Sequence, residues 1–166
     1  MFGKWRRRSS GTGQSQSDQR NQDSTEAFAR TLARVPLFID LSKREIHRLA
    51  VTCRERDYAA GDVLVRQGEP GVGLFVIVSG RVQITQHHAD AVSAAIATSG
   101  PGDVFGEMSL LDDLPRSATV TALEPTRVLL LPVFDFRAAL QEEPDIGIRL
   151  LAVLSRRLRR AESRQI

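Results

Sequence analysis

The sequence predicts an α+β fold, in which an antiparallel all-β sandwich or roll is flanked by N-terminal helices and a C-terminal helical pair. Three observations carry this expectation. From Arg56 to Leu131 short β-type runs follow one another, separated by Gly, Asp and Pro. Before and after that stretch, apolar residues recur at helical spacing instead. The length, 166 residues, is close to one domain's worth and enough to bury a useful core, so one folded unit is expected.

Residues 1–24 are rich in Gly, Ser, Gln, Asn and Asp and can bury little apolar area, which predicts a disordered basic tail. Its start combines Phe2 and Trp5 with Lys4, Arg6, Arg7 and Arg8, a cluster suited to weak contact with anionic lipid, nucleic acid or an acidic partner. Phe2 stands where N-myristoylation requires Gly. Residues 25–166 form the expected domain. Ser24-Thr25-Glu26 starts a helix by capping logic, with Phe28, Leu32 and Val35 on one face until Pro36 stops it. Leu37-Phe38-Ile39 follows as an apolar plug. Ser42 caps a second helix, Glu45 completes a capping box, and Ile46, Leu49, Ala50 and Cys53 share its apolar face, while His47 lies among charged neighbours at the surface.

The candidate strands of the roll, at about 56–131, are Val63–Val65, Leu74–Val78, Val82–Thr85, Val92–Thr98, Val104–Phe105, Ala118–Ala122 and Val128–Leu131. His87-His88-Ala89-Asp90 is expected at an exposed hairpin tip rather than around a metal. Gly68, Gly71 and Gly73 form a turn cluster and not a P-loop, because no Gly-Lys-Ser/Thr follows. Two helices close the chain at about 133–164. Val133 to Gln141 forms the first, ended by Pro144, and Asp145 caps the second, whose stripe Ile146, Leu150, Leu154, Leu158 and Ala161 is widened by Leu151 and Val153. Such a stripe serves either as core or as a dimer seam.

Charge sits at the ends. Residues 1–25 hold five basic and two acidic residues, and residues 155–166 hold five and one, whereas the body between them carries a net −4 within a total of +3. This argues against reading the folded body as a nucleic-acid binder on charge alone. Cys53 is the sole cysteine and there are three His, which excludes an intramolecular disulfide and a zinc cluster. No apolar run approaches a membrane span and no secretion signal opens the chain, so a cytoplasmic protein is expected. No metal set, nucleophile elbow, kinase or cyclase signature occurs, and turnover is not expected.

The stretch Gly106 to Val120 carries the chemistry. Gly106, without a Cβ, lets backbone approach a ligand. If Glu107 to Leu111 form a short helix, its first N–H groups and the positive end of its dipole face an anion. Arg116 supplies a guanidinium that can grip two oxygens of a phosphodiester, and Glu107, an acceptor, suits sugar hydroxyls. Together these residue types point to a nucleotide.

Phe105-Gly106-Glu107-Met108-Ser109-Leu110 followed by Pro115-Arg116-Ser117-Ala118-Thr119 closely resembles the phosphate-binding cassette of cyclic-nucleotide-binding domains. Tyr58-Ala59-Ala60-Gly61-Asp62, Gln67-Gly68-Glu69 and Ser79-Gly80-Arg81-Val82 resemble that family's hairpin landmarks, in order, and Glu143-Pro144-Asp145-Ile146 through Arg156-Arg157-Leu158 looks like the catabolite activator branch. The resemblance covers about Leu37 to Ile166. It implies an antiparallel β-roll (double-stranded β-helix or jelly-roll) and a site in which Glu107 holds the ribose 2′-hydroxyl, Arg116 the cyclic phosphate, and Ser117 a phosphate oxygen or a purine edge. Gly106, Met108 and Ala118 contribute backbone amides, with Ser109 inside the same cassette. It also implies cAMP or cGMP as ligand, no other cofactor, and a homodimer paired through the final helix. Where the activator branch presents a Thr-Ser pair to the purine, this chain has Ala161-Glu162, leaving Ser163 or an arginine of 156–160 for that place. The sequence ends at Ile166, short of a helix-turn-helix, so direct DNA binding is not expected. The expected function is a sensor of cyclic nucleotide, cAMP before cGMP, acting on an unidentified protein effector through its C-terminal helix. Two other readings stay open on the residues: a ligand-free interaction or targeting module, and a receptor for a cyclic dinucleotide such as cyclic di-GMP.

Overall fold

A computed structural model describes residues 12–87 and 94–163. In chain order they form α1 (Thr12–Leu32), a 3-10 turn (Pro36–Phe38), α2 (Lys43–Thr52), β1 (Arg54–Tyr58), β2 (Val63–Val65), β3 (Gly73–Ser79), β4 (Val82–Gln86), β5 (Ala94–Ser99) and β6 (Val104–Phe105). A second 3-10 turn (Met108–Leu110), β7 (Thr119–Ala122), β8 (Thr126–Pro132), α3 (Val133–Glu142) and α4 (Pro144–Glu162) complete the order. The strands make two four-stranded sheets, ordered β1-β8-β3-β6 and β2-β7-β4-β5, with every pair antiparallel. This is the expected α+β roll, with helices before and after it in the chain.

The layering follows from β3. Leu74, Phe75, Val76 and Ile77 are all buried, so the strand is covered on both faces and reads as a continuous apolar run rather than an alternation. Leu74 and Val76 pack with Leu32, Phe38, Leu49, Leu129, Leu131, Phe136, Ile146 and Leu150 against the helices. Phe75 and Ile77 face the other way and join Val65, Val82, Phe105, Val120 and Val128 between the sheets. The first sheet is thus the middle layer, with helices on one side and the second sheet on the other.

Several elements differ from the sequence expectation for identifiable reasons. Helix α1 starts at Thr12 instead of Ser24, so residues 12–24, expected in the tail, are helical; residues 1–11 lie outside the described part. No Gly or Pro interrupts residues 14–35, and a helix once nucleated by packing at Phe28 and Leu32 gains one backbone hydrogen bond for each residue it extends. Strand β1 starts at Arg54, and its first four residues are charged and exposed, so neither alternation nor propensity reveals it. It is an edge strand held by backbone pairing to β8, and its charges discourage further strand addition. Val92 and residues 88–90 of the expected hairpin tip lie outside the described residues, and β5 begins at Ala94. Pro144 is the first residue of α4 rather than a stop before it, since a first-turn Pro forfeits no helical N–H bond.

The capping box at Ser42 forms as expected: Glu45 N–H donates to Ser42 Oγ at 3.3 Å, and Ser42 N–H donates to Glu45 Oε2 at 2.6 Å. Glu45 has a second task, accepting from Arg149 Nε of α4 at 3.2 Å, while Arg149 Nη1 reaches the Asp40 carbonyl at 3.3 Å and Arg156 pairs with the Asp40 carboxylate. The final helix is therefore clasped to α2 and to the segment before it. Its apolar residues divide between two faces. Ile146, Leu150 and Val153 are buried and Leu154 partly so, but Leu151 and Leu158 are 66% and 61% exposed and Ile148 64%. Leu158, the fourth residue of a stripe expected to serve as core or as a dimer seam, points away from the core because 3.6 residues per turn carries an i+4 series off one face.

Candidate functional site

Strand β6 ends at Phe105 and delivers the chain to Gly106, whose φ of +78° is readily adopted only by glycine. The turn that follows is a three-residue 3-10 helix with Glu107 as N-cap, shorter than the expected Glu107–Leu111 helix. Three residues sum to no appreciable macrodipole, so any anion here must rely on N–H groups and formal charge rather than a helix field. Leu110, 2% exposed, pins the turn into the helix-side core, and Asp113 ties the loop to α3 through Arg137 Nη2 at 2.5 Å.

Arg116 is held from three sides. Its backbone N–H donates to Glu69 O at 2.8 Å and its carbonyl accepts from Gly68 N–H at 2.8 Å, fastening it to the turn after β2. Its Nη2 donates to Gly73 O at 2.7 Å, and its guanidinium carbon stands 5.6 Å from the centre of the Phe75 ring. Phe75 is itself stacked on Phe105, its partner in the β3–β6 ladder, with ring centres 5.0 Å apart and planes 5° from parallel. The side chain is 6% exposed, yet Nε and Nη1 have no hydrogen-bond partner among the described residues. Burial draws this guanidinium down from its ordinary pKa, and the Glu107 carboxylate pulls the other way. Buried cationic donors left without acceptors are costly, and an anionic ligand would satisfy them.

Arg116 lines a cavity of about 320 Å³ together with Gly106, Glu107, Met108, Ser117 and Ala118. Its other wall is apolar, contributed by Val65, Ile84, Ile96, Leu114 and Val120 from β2, β4, β5 and β7 and the loop before β7. One end thus offers cation and carboxylate, the other a greasy surface for a flat ring. The structure brings six of the seven expected site residues to this cavity. Ser109 falls in the 3-10 turn, its side chain outside the described set. Ala118 precedes β7, which begins one residue later than expected. Met108 is largely exposed. Sequence reasoning missed the apolar wall, whose residues are scattered over four strands and a loop with no motif between them, and Gly73, whose carbonyl anchors Arg116 from 43 positions away.

Other residues singled out in the sequence lie elsewhere. Cys53 is buried, and desolvation with a smaller push from Asp135 raises its thiol to about 12, which leaves it unreactive at neutral pH. His47 is exposed on α2. Ser163 bonds the Arg159 carbonyl at 2.8 Å. Among the described residues no helix is long and apolar enough to cross a membrane.

Residues 55–143 match the family model of the cyclic nucleotide-binding domain. The Cyclic AMP receptor protein of Thermus thermophilus is 37% identical over 127 residues, which make up 76% of this chain and 59% of that protein. A cAMP-dependent protein kinase regulatory subunit of Dictyostelium discoideum is 36% identical over 103 residues, 60% of this chain and 32% of that one. The chain therefore spans less than two thirds of the length of either relative. Among solved structures, the N-terminal domain of a transcriptional regulator from Streptomyces coelicolor superposes with a TM-score of 0.74 at 34% identity, covering 82% of this chain and 95% of that one.

Proposed function

Since the chain belongs to the cyclic nucleotide-binding domain family, we propose that it is a regulatory sensor that binds cAMP in preference to cGMP and performs no turnover. The observation that carries this reading is Arg116, a buried cation that lines a cavity with an apolar far wall and has two nitrogens without a hydrogen-bond partner among the described residues. The cyclic phosphate takes Arg116 and backbone amides of Gly106, Met108 and Ala118, Glu107 accepts from the ribose hydroxyl, and Ser117 meets a phosphate oxygen or the base. Ser109 completes the cassette. Preference for cAMP is supported by the two relatives, whose names include cyclic AMP and cAMP. The ligand acts alone, without metal or second cofactor, in the cytoplasm.

The output is assigned to α4. Ile148, Leu151 and Leu158 stand exposed on it at spacings of three and seven, the period of a coiled-coil seam, which supports a homodimer paired along this helix. Nucleotide shifts the helix by the difference between its affinities for the two helix positions, and an unidentified effector protein reads the shift. The basic N-terminal residues add a weak contact to an acidic partner or an anionic membrane.

Isothermal titration of the parent protein and Arg116→Ala with cAMP, cGMP and cyclic di-GMP tests the site. Saturable binding of cAMP to the parent at micromolar concentration or below, and its loss in the variant, is the expected result; loss of a charge-assisted buried contact of about 2 to 5 kcal/mol takes binding out of range. No heat with any nucleotide would turn attention to a ligand-free interaction module, and tight binding of cyclic di-GMP alone would replace the ligand.

A further inference from the structure

Strand β7 lies between β2 and β4, with Val65 opposite Val120 on one side and Thr85 opposite Thr119 on the other. Just ahead of β7 runs Arg116-Ser117-Ala118, which is flanked by Gln67-Gly68 beyond β2 and by His87 beyond β4. Gln67 joins these flanks. Its backbone N–H donates to Thr119 Oγ1 at 3.0 Å, and its side chain makes a two-point bond with the His87 backbone. Nε2 donates to His87 O at 2.8 Å and Oε1 accepts from His87 N–H at 2.7 Å. That carboxamide reproduces a ladder rung between two strands that are not neighbours, with the start of β7 between them. The next residues, Gly68 and Glu69, hold the Arg116 backbone.

We propose that Gln67 is a positioning residue for the apolar wall of the site: its side chain straps the β4–β5 hairpin, which carries Ile84 and Ile96, at a fixed distance from the Arg116 segment. This inference rests on the nucleotide reading given above. Gln67 is not one of the residues lining the cavity, so its influence on a ligand passes through the hairpin. Arg116 itself does not need the strap, because Gly68 and Glu69 backbone groups and Gly73 O retain it. The part of a ligand that touches Arg116 and Glu107 is therefore insensitive to Gln67, as is Ile84, fixed opposite Val120 in the β4–β7 ladder, and the part that lies on Ile96 of the edge strand β5 depends on it.

The test compares cAMP with ribose 3′,5′-cyclic phosphate, which lacks the base, on the parent, Gln67→Met and Gln67→Glu. Met keeps the length and loses both bonds; Glu keeps the acceptor but turns a carboxylate oxygen on the His87 carbonyl oxygen, acceptor against acceptor. Affinity for cAMP is expected to fall about tenfold in either variant. Affinity for the base-free compound stays within about twofold throughout. Equal losses for both ligands would show a general loosening and overturn the positioning role, as would no loss for either. Should Gln67→Met fail to fold, the same comparison on Gln67→Glu decides. A parent protein that binds neither compound overturns the nucleotide reading itself, and the strap's role with it, an outcome distinct from the equal-loss pattern.

Discussion

Gly106 and Arg116 occupy one another's space: a Cβ at 106 would overlap Arg116 Nη1 and stand 2.8 Å from the Gly73 carbonyl oxygen that accepts from Nη2. The glycine is required twice, once by its φ of +78° and once by the guanidinium beside it.

Gly106→Ala is accordingly expected to destabilise the fold by about 1 to 3 kcal/mol, through a strained backbone and a displaced Arg116. Nucleotide affinity should fall further than that loss of stability explains. Urea unfolding without ligand, alongside titration with cAMP, separates the two effects. Unchanged affinity would remove Arg116 from the site.

Arg116→Met makes the opposite prediction for the ligand-free protein. The substitution removes two buried donors that have no acceptor among the described residues, at the expense of one bond to Gly73 O and the contact with the Phe75 ring. An unsatisfied buried group costs about 1 to 3 kcal/mol, so stability without nucleotide should match or exceed that of the parent. Stabilisation by cAMP should disappear. A variant much less stable than the parent in the absence of ligand would mean that the guanidinium is a structural element first.

Glu45 links the α2 cap to α4, and its ionisation should be visible in the pH dependence of stability. Burial works to raise its pKa, but the Ser42 hydrogen bonds and Arg149 outweigh it and leave the carboxyl below its ordinary value. A lowered folded-state pKa contributes stability that is complete above the ordinary value of 4.5 and is lost as the pH falls through the folded one. Glu45→Gln should therefore cost about 1 kcal/mol or more near neutral pH, with the gap to the parent closing in acid. Thermal unfolding across that range reads it, and a gap that widened in acid would contradict the assignment.

Leu151→Glu with Leu158→Glu tests the outer face of α4. Both side chains are exposed, so the protomer fold should change by no more than about 0.5 kcal/mol. Light scattering should report a dimer for the parent and a monomer for the double variant. An unchanged mass would place the dimer contact elsewhere.

Much of this protein is determined by its sequence alone, because the information is local. The capping box at Ser42 and Glu45 lies within one turn, and the runs at Val63–Val65 and Val104–Phe105 became strands with those limits. The cassette from Gly106 to Ala118 is a contiguous motif, so its resemblance to a family is legible before any contact is known. Tertiary structure decided what depends on distant partners. Charged β1 is a strand only because β8 offers it a ladder, and α1 extends to Thr12 because packing at Leu32 had already met the cost of nucleation. The last helix looked like one stripe, yet the core takes Ile146, Leu150 and Val153 and leaves Leu158 outside, because an i+4 series drifts off the face that the core covers. Even Arg116, expected from its neighbours in sequence to hold a phosphate, acquires its burial from Gly73 and Phe75, and it is that burial, with two donors unpaired among the described residues, that would give a common surface residue a reason to bind an anion.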